Sequence, residues 1–166
     1  VVRETVKLEQ INKWLPIQAT RQAYKRLGKD PNRYRPSSEA LRRRILRELP
    51  LYKVDTLVDL INLVSIRSGY SIGGFDADKI AGGSLVLGVG REGEVYHGIG
   101  RGELNIAGLP VYRDAVGGVG TPTSDEERTK IGLDTTRLLM IINGYSGLDG
   151  LESAGKYAAD LLSKYV

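Results

Sequence analysis

Apolar and polar positions alternate with a helical period in the first third of this chain and with a shorter, glycine-broken rhythm after residue 70. In residues 17–27 good helix formers follow Pro16 and stop at Gly28, a residue suited to the left-handed conformation at a helix end. The run Lys29-Asp30-Pro31-Asn32-Arg33-Tyr34-Arg35-Pro36 is turn-like, and Ser37 or Ser38 is expected to cap a second helix reaching about Leu49. Leu41, Ile45 and Leu49 recur at fourfold spacing and predict its buried stripe. After Pro50 a third helix is predicted from Asp55 to Arg67, with Thr56 and Asp59 at capping-box spacing and Gly69 as its stop. Leu57, Val58, Ile61 and Val64 supply its apolar face. Asp55, Asp59 and Asn62 form a separate stripe that can line a pocket, because steps of four and three residues return to nearly the same face.

From residue 70 the apolar runs shorten. Those at 84–89, 94–99 and 108–113 are separated by glycines and predict strands with tight turns, and a further strand is predicted over 137–142. A terminal helix is expected from about Asp149 to Lys164, with Leu151, Ala154, Ala158, Leu161 and Leu162 inward. Helices, then strands, then a helix give the class α+β. A chain of 166 residues is long enough for one sizeable core and short for two ordinary domains. One domain over 1–166 is therefore expected, with a basic helical part at 1–50, a core at 51–145 and a terminal helix within 146–166.

Composition narrows the chemistry. No stretch approaches the roughly 20 apolar residues of a membrane helix, so a soluble protein is expected. The chain opens at Val1 rather than Met with no secretory leader, and residues upstream are expected to be missing. Without cysteine there is no disulfide, thiolate nucleophile or thiolate-held zinc, which suits a reducing compartment, with the cytoplasm as the default. His97 is the sole histidine, so a Ser-His-Asp hydrolase would have to use it and a metal site would otherwise need carboxylates alone. No metal or cofactor is expected. His97 sits in a predicted strand, where a surface role is commoner than catalysis.

Charge is uneven: residues 1–50 carry 13 Lys and Arg against 5 Asp and Glu, while the remainder carries 11 against 15. A basic N-terminal third on a more acidic body suits either a polyanion-binding face or a solvated helix surface. Arg33, Arg35, Arg42, Arg43, Arg44 and Arg47 are the candidate phosphate contacts, with Tyr34 available to stack on a base.

The ordered set Leu57-Val-Asp-Leu-Ile-Asn62, Val64-Ser-Ile-Arg-Ser-Gly69 and Ile72-Gly-Gly-Phe-Asp76 resembles the signature of the B3/B4 domain of phenylalanyl-tRNA synthetase beta chains. The likeness continues through Arg91-Glu-Gly-Glu94, Tyr112-Arg-Asp114 and Gly117-Gly118. Trp14, Ala23-Tyr-Lys, Gly28, Pro31, Tyr34 to Leu41, Arg43-Arg44, Asp125, Arg128-Thr129 and Thr135-Thr136 are similar to the standalone form of that domain. The resemblance implies a three-layer α+β domain, a β-sandwich of unusual topology flanked by helices. It also implies an editing activity that removes a wrongly attached amino acid from tRNA, so the implied partner is tRNA or aminoacyl-tRNA, with neither membrane nor DNA expected. The chain is too short to be a complete ligase. A non-catalytic RNA-binding module and a pocket for a free amino acid stand as alternative functions.

Hydrolysis of an aminoacyl ester does not demand a protein nucleophile, since a positioned water and donors at the carbonyl can suffice. On the resemblance, the catalytic candidates are Asn62 as a hydrogen-bonding wall, Gly73 and Gly74 as backbone donors, and Asp125. In the synthetase the wrongly attached amino acid is tyrosine, but Gly73 stands where that domain commonly has histidine, so recognition of a different amino acid, or of none, is expected. Asp76 is a substrate contact or a turn cap. Asp125 and Arg128 are expected to pair near the cleft, beside Thr129, either binding a ligand's ammonium and carboxylate or a phosphate, or acting as a structural ion pair that anchors a loop. Glu94 is a specificity residue or a turn residue.

Overall fold

Pro16 occupies the first turn of the first helix, where its missing N–H costs no intrahelical bond. In the computed structural model residues 7–166 are described, and the opening residues on which the expected missing start rests lie outside them. A 3-10 turn, Leu8–Lys13, leads into α1, Leu15–Arg26, which buries Ile17, Thr20, Arg21 and Tyr24 on one face. As expected, Gly28 takes positive φ (79°) just past its end.

The second helix, α2, spans Ser37–Leu46 and departs from expectation at both ends and on its face. Pro36 holds the N-cap position, and neither serine caps the helix: Ser38 Oγ is hydrogen-bonded to Ser71 Oγ at 3.1 Å instead. The helix stops three residues early because Glu48 turns to φ 57° and Leu49 N–H folds back to Arg44 O. The buried stripe is Ser38, Glu39 and Arg42, whereas Leu49 is exposed. Charge pairing turns the polar side inward. Glu39, fully buried, meets Arg21 and Arg43 at 2.9 Å each and Arg35 at 3.7 Å. Arg42 lies over the Trp14 ring and donates to the carbonyls of Ile66 and Arg67.

Those carbonyls end α3, Thr56–Ser68. Its cap falls one residue before the predicted one: Asp55 accepts the Val58 N–H at 2.9 Å, and Asp59 accepts from Val54 N–H at 3.2 Å. Gly69 closes it at φ 84°, and a Cβ there would also lie 2.8 Å from the Trp14 ring, so glycine is required twice over.

Seven strands follow in three antiparallel sheets: β1 (Ser71–Asp76) with β7 (Leu138–Asn143); β2 (Val86–Val89), β5 (Pro110–Arg113) and β6 (Gly118–Gly120); and the hairpin β3 (His97–Gly98) with β4 (Gly102–Glu103). The class is α+β. β1 was not among the predicted strands, because Gly73-Gly74 breaks the alternation that marks them; here it pairs in full register with β7, Gly73 opposite Ile141. β4 and β6 also went unpredicted, being short and glycine-rich, and only two residues of the expected 94–99 run are strand. The terminal helix α4, Leu151–Tyr165, lies against α3 and buries Ala154 and Ala158. The main buried cluster is Tyr24, Tyr96, Ile106, Leu109 and Val111. Its two phenols are satisfied, Tyr24 Oη by Thr123 Oγ1 at 2.8 Å and Tyr96 Oη by Ser124 O at 2.6 Å.

Removing the Glu39 carboxylate would leave its guanidinium neighbours unbalanced in a buried setting. Glu39→Ala should therefore lower the free energy of urea unfolding by about 3–5 kcal/mol, whereas Leu49→Ala should stay within about 0.5 kcal/mol.

Candidate functional site

The glycines that hide β1 in the sequence are what bring its backbone against a carboxylate. A Cβ on Gly73 would lie 2.7 Å from Phe75 Cζ and 3.2 Å from Asp125 Oδ1; one on Gly120 would lie 2.5 Å and 3.1 Å from the same atoms. Phe75, the only phenylalanine, thus lies over two glycine backbones at the junction of β1 and β6, and the Asp125 carboxyl is tucked beside it. Gly74 N–H donates to Asp125 Oδ2 at 3.2 Å, while Ile99 N–H holds Asp125 O at 2.9 Å.

This carboxyl faces a cavity of about 250 Å³. Val54, Val58, Ile61, Ile72, Ile99 and Ile131 form its apolar walls, and Asn62, Gly74, Asp125 and Lys130 provide its polar edge. Asp125 as a residue keeps some surface, but its carboxyl is enclosed. Burial pushes its pKa up to about 7, and the Gly74 N–H only partly opposes this. No cation pairs with it among the described residues. The Asn62 side chain makes no hydrogen bond to a described residue, which leaves an amide donor and acceptor free on the cavity wall. A carboxyl that changes charge near neutral pH beside a free amide can exchange a proton and bind a carbonyl or an amine.

The sequence profile of the B3/4 domain matches residues 19–165 of this chain. The chain belongs to the B3/4 domain family. A search of curated proteins found no match.

In this B3/4 domain the sequence-predicted residues are only partly brought together. Asn62, Gly74 and Asp125 share the cavity, and Gly73 stands immediately behind the carboxyl. The two glycines do not offer free donors, however. Gly74 N–H is taken by Asp125, and the register places Gly73 among the residues that bond to β7, a set continued by Ala77 N–H to Arg137 O at 2.8 Å. Arg128 does not pair with Asp125. It makes a two-pronged contact with Asp114 at 2.8 and 2.9 Å instead, so neither the ligand-binding nor the structural form of the expected Asp125–Arg128 pair is present. Burial alone would raise the Asp114 pKa, but Arg128 and the N–H groups of Ala81, Val116 and Gly117 hold it well below the usual carboxylate range. Asp76 caps the following turn, accepting from Asp78 N–H and Thr135 Oγ1. Glu94 is bound to Arg113 at 2.6 Å, away from the cavity, and that hydrogen bond holds its carboxyl below the ordinary value. Thr129 is fully buried, and its hydroxyl lacks a partner among the described residues.

The arginine set divides as well. Arg42 is fully buried and so is withdrawn from any phosphate-facing surface. Arg43 and Arg35 are engaged by Glu39, and Arg44 donates to Pro50 O. Arg33 and Arg47 remain exposed. Tyr34 packs on the core with Lys29 Nζ 3.7 Å from its ring centroid, so that face is already covered. His97 is exposed, 4.0 Å from Glu126 Oε1. Among the described residues no group of three His, Asp or Glu stands together as a metal-holding cluster. Sequence reading missed Ile131 and Lys130 as cavity residues; their adjacency to Arg128-Thr129 was the only signal.

Asp125 should titrate near pH 7 by carbon NMR of its carboxyl. Its pKa is raised on folding, so between about pH 4 and 7 the native state holds the extra proton and stability falls as pH rises. Asp125→Asn should remove that fall in denaturant unfolding measured across the interval.

Proposed function

We propose that this B3/4 domain hydrolyses the ester of misacylated tRNA in trans, releasing the wrong amino acid. The observation that carries the reading is the meeting of Asn62 from α3, Gly74 from β1 and Asp125 from the loop after β6 on one apolar-walled cavity. The family's resemblance to the editing domain of a tRNA synthetase supplies the substrate class, and the isoleucine and valine walls favour an amino acid with an apolar or aromatic side chain.

Ionised Asp125 takes a proton from a water molecule, whose oxygen attacks the ester carbonyl carbon. The Asn62 amide donates to the carbonyl oxygen as negative charge gathers there, the role left open by the engaged glycine N–H groups. The acyl carbon–oxygen bond then breaks, and the proton on Asp125 passes to the departing ribose oxygen, leaving a free amino acid and a free tRNA terminus. A base with a pKa of about 7 is well matched to this step at neutral pH.

Purified protein should release radiolabelled amino acid from at least one member of a panel of mischarged tRNAs. Asp125→Asn, which keeps the shape and the Gly74 hydrogen bond, should lower kcat by about 10²- to 10⁴-fold. Asn62→Ala should slow release without unfolding the protein, and the wild-type rate should rise with pH to a plateau above about 7. No release above background from any charged tRNA would defeat the reading.

A further inference from the structure

A second, larger hollow of about 640 Å³ adjoins the first, between the end of α2, the 48–53 segment and α3. Leu49, Pro50, Tyr52 and Leu63 line it, and Tyr52 is 72% exposed. Asn62 belongs to both hollows. The helical step explains this: Asp59, Asn62, Leu63 and Ile66 face the groove, Val58, Ile61 and Asn62 face the cavity, and Asn62 stands at the seam.

The Tyr52 ring is braced rather than loose. The Arg44 guanidinium carbon lies 4.4 Å from its centroid, and Arg44 Nε and Nη2 donate to Pro50 O at 3.1 and 2.9 Å. One ring face is thereby occupied and the side chain remains mostly open. Arg47 and Lys53, both exposed, make no ion pair among the described residues. An open aromatic ring and apolar walls suit a stacked base, and Lys53 gives the lining one positive charge beside the carboxylates of Glu48 and Asp59.

We infer that this groove seats the 3′-terminal nucleoside of the acceptor strand, with its base against Tyr52, while the amino acid it carries enters the Asp125 cavity across Asn62. The inference rests on the deacylase reading. An ester links the amino acid directly to the terminal ribose, so the base must sit one sugar away from the carbonyl. Two adjoining hollows that share a single amide fit such a two-part ligand, whereas a free amino acid would leave the larger one empty.

The test uses the full chain labelled with nitrogen-15 and the uncharged trinucleotide cytidyl-cytidyl-adenosine as probe. Titration should shift the backbone amides of Leu49, Leu51, Tyr52, Asn62 and Leu63. Tyr52→Ala should weaken binding by about 5- to 150-fold, the range expected for one stacked base, and Tyr52→Phe should restore it. In deacylation, Tyr52→Ala should raise KM by a similar factor with kcat within about twofold, because stacking of a non-reacting base is felt equally in the ground and transition states. Shifts confined to other surfaces, or Tyr52→Ala binding as tightly as wild type, would overturn the subsite. Concentration-dependent shifts of the same amides without trinucleotide would overturn it too, in favour of a second copy of the chain. Groove binding without deacylation of any charged tRNA would retain the subsite and remove the deacylase; deacylation with unchanged KM in Tyr52→Ala would do the reverse.

Discussion

The contact between the Asp125 carboxyl and the free edge of β1 is the constraint on which the site depends. β1 has one partner strand, so half of its N–H groups face away from β7 and need other acceptors. Gly74 finds one in Asp125, and this ties the two-stranded sheet to the segment after β6. The approach is possible only because residues 73, 74 and 120 lack side chains: Phe75 fills the space over two of them, and the δ-carbons of Ile61 and Ile131 close over the third. The same packing that joins the sheets therefore builds the apolar walls and buries the acid.

The basic N-terminal third serves this arrangement structurally. Arg42 is buried with no carboxylate beside it, and two of its nitrogens lack a hydrogen-bond partner among the described residues. Burial lowers its pKa only to about 10, so it remains a cation at neutral pH. Its compensation comes from the negative end of the α3 dipole and the face of Trp14. The helix bearing Asn62 is in this way fixed at its C-terminal end by a charge that charge counting alone would assign to the surface. Of the arginines that the sequence offered for phosphate contact, only Arg33 and Arg47 are left fully outward.

Helix positions, the α+β class and the family signature were legible in the sequence because each rests on local spacing: Pro16 before a helix, Gly28 and Gly69 after one, and the Val-Asp-x-x-Asn run on α3. What escaped was decided by contacts across long sequence distances. β1 does not read as a strand until Phe75 is seen to occupy the space its glycines leave, and α2 shows an apolar stripe at fourfold spacing that loses to the Glu39 cluster. Asn62 and Asp125 were named together, but the sequence offered Arg128 as the acid's partner. Asp114 takes that guanidinium because three backbone N–H groups already converge on it, making it the better-held anion.

Two acids enclosed by this chain show how structural and chemical burial differ. Glu39 is surrounded by guanidinium groups, and each of its oxygens has a charged donor, so its charge is matched to the scaffold. Asp125 receives one backbone N–H and no cation among the described residues, and its ionised form is disfavoured in the fold up to about pH 7. An asparagine would accept the same hydrogen bond with no charge to desolvate. The fold gains nothing from the carboxyl that the amide would not supply, while the cavity gains a group able to take up and return a proton at neutral pH. That asymmetry is the ground for the proposed chemical role of Asp125, while the paired Glu39 belongs to the architecture.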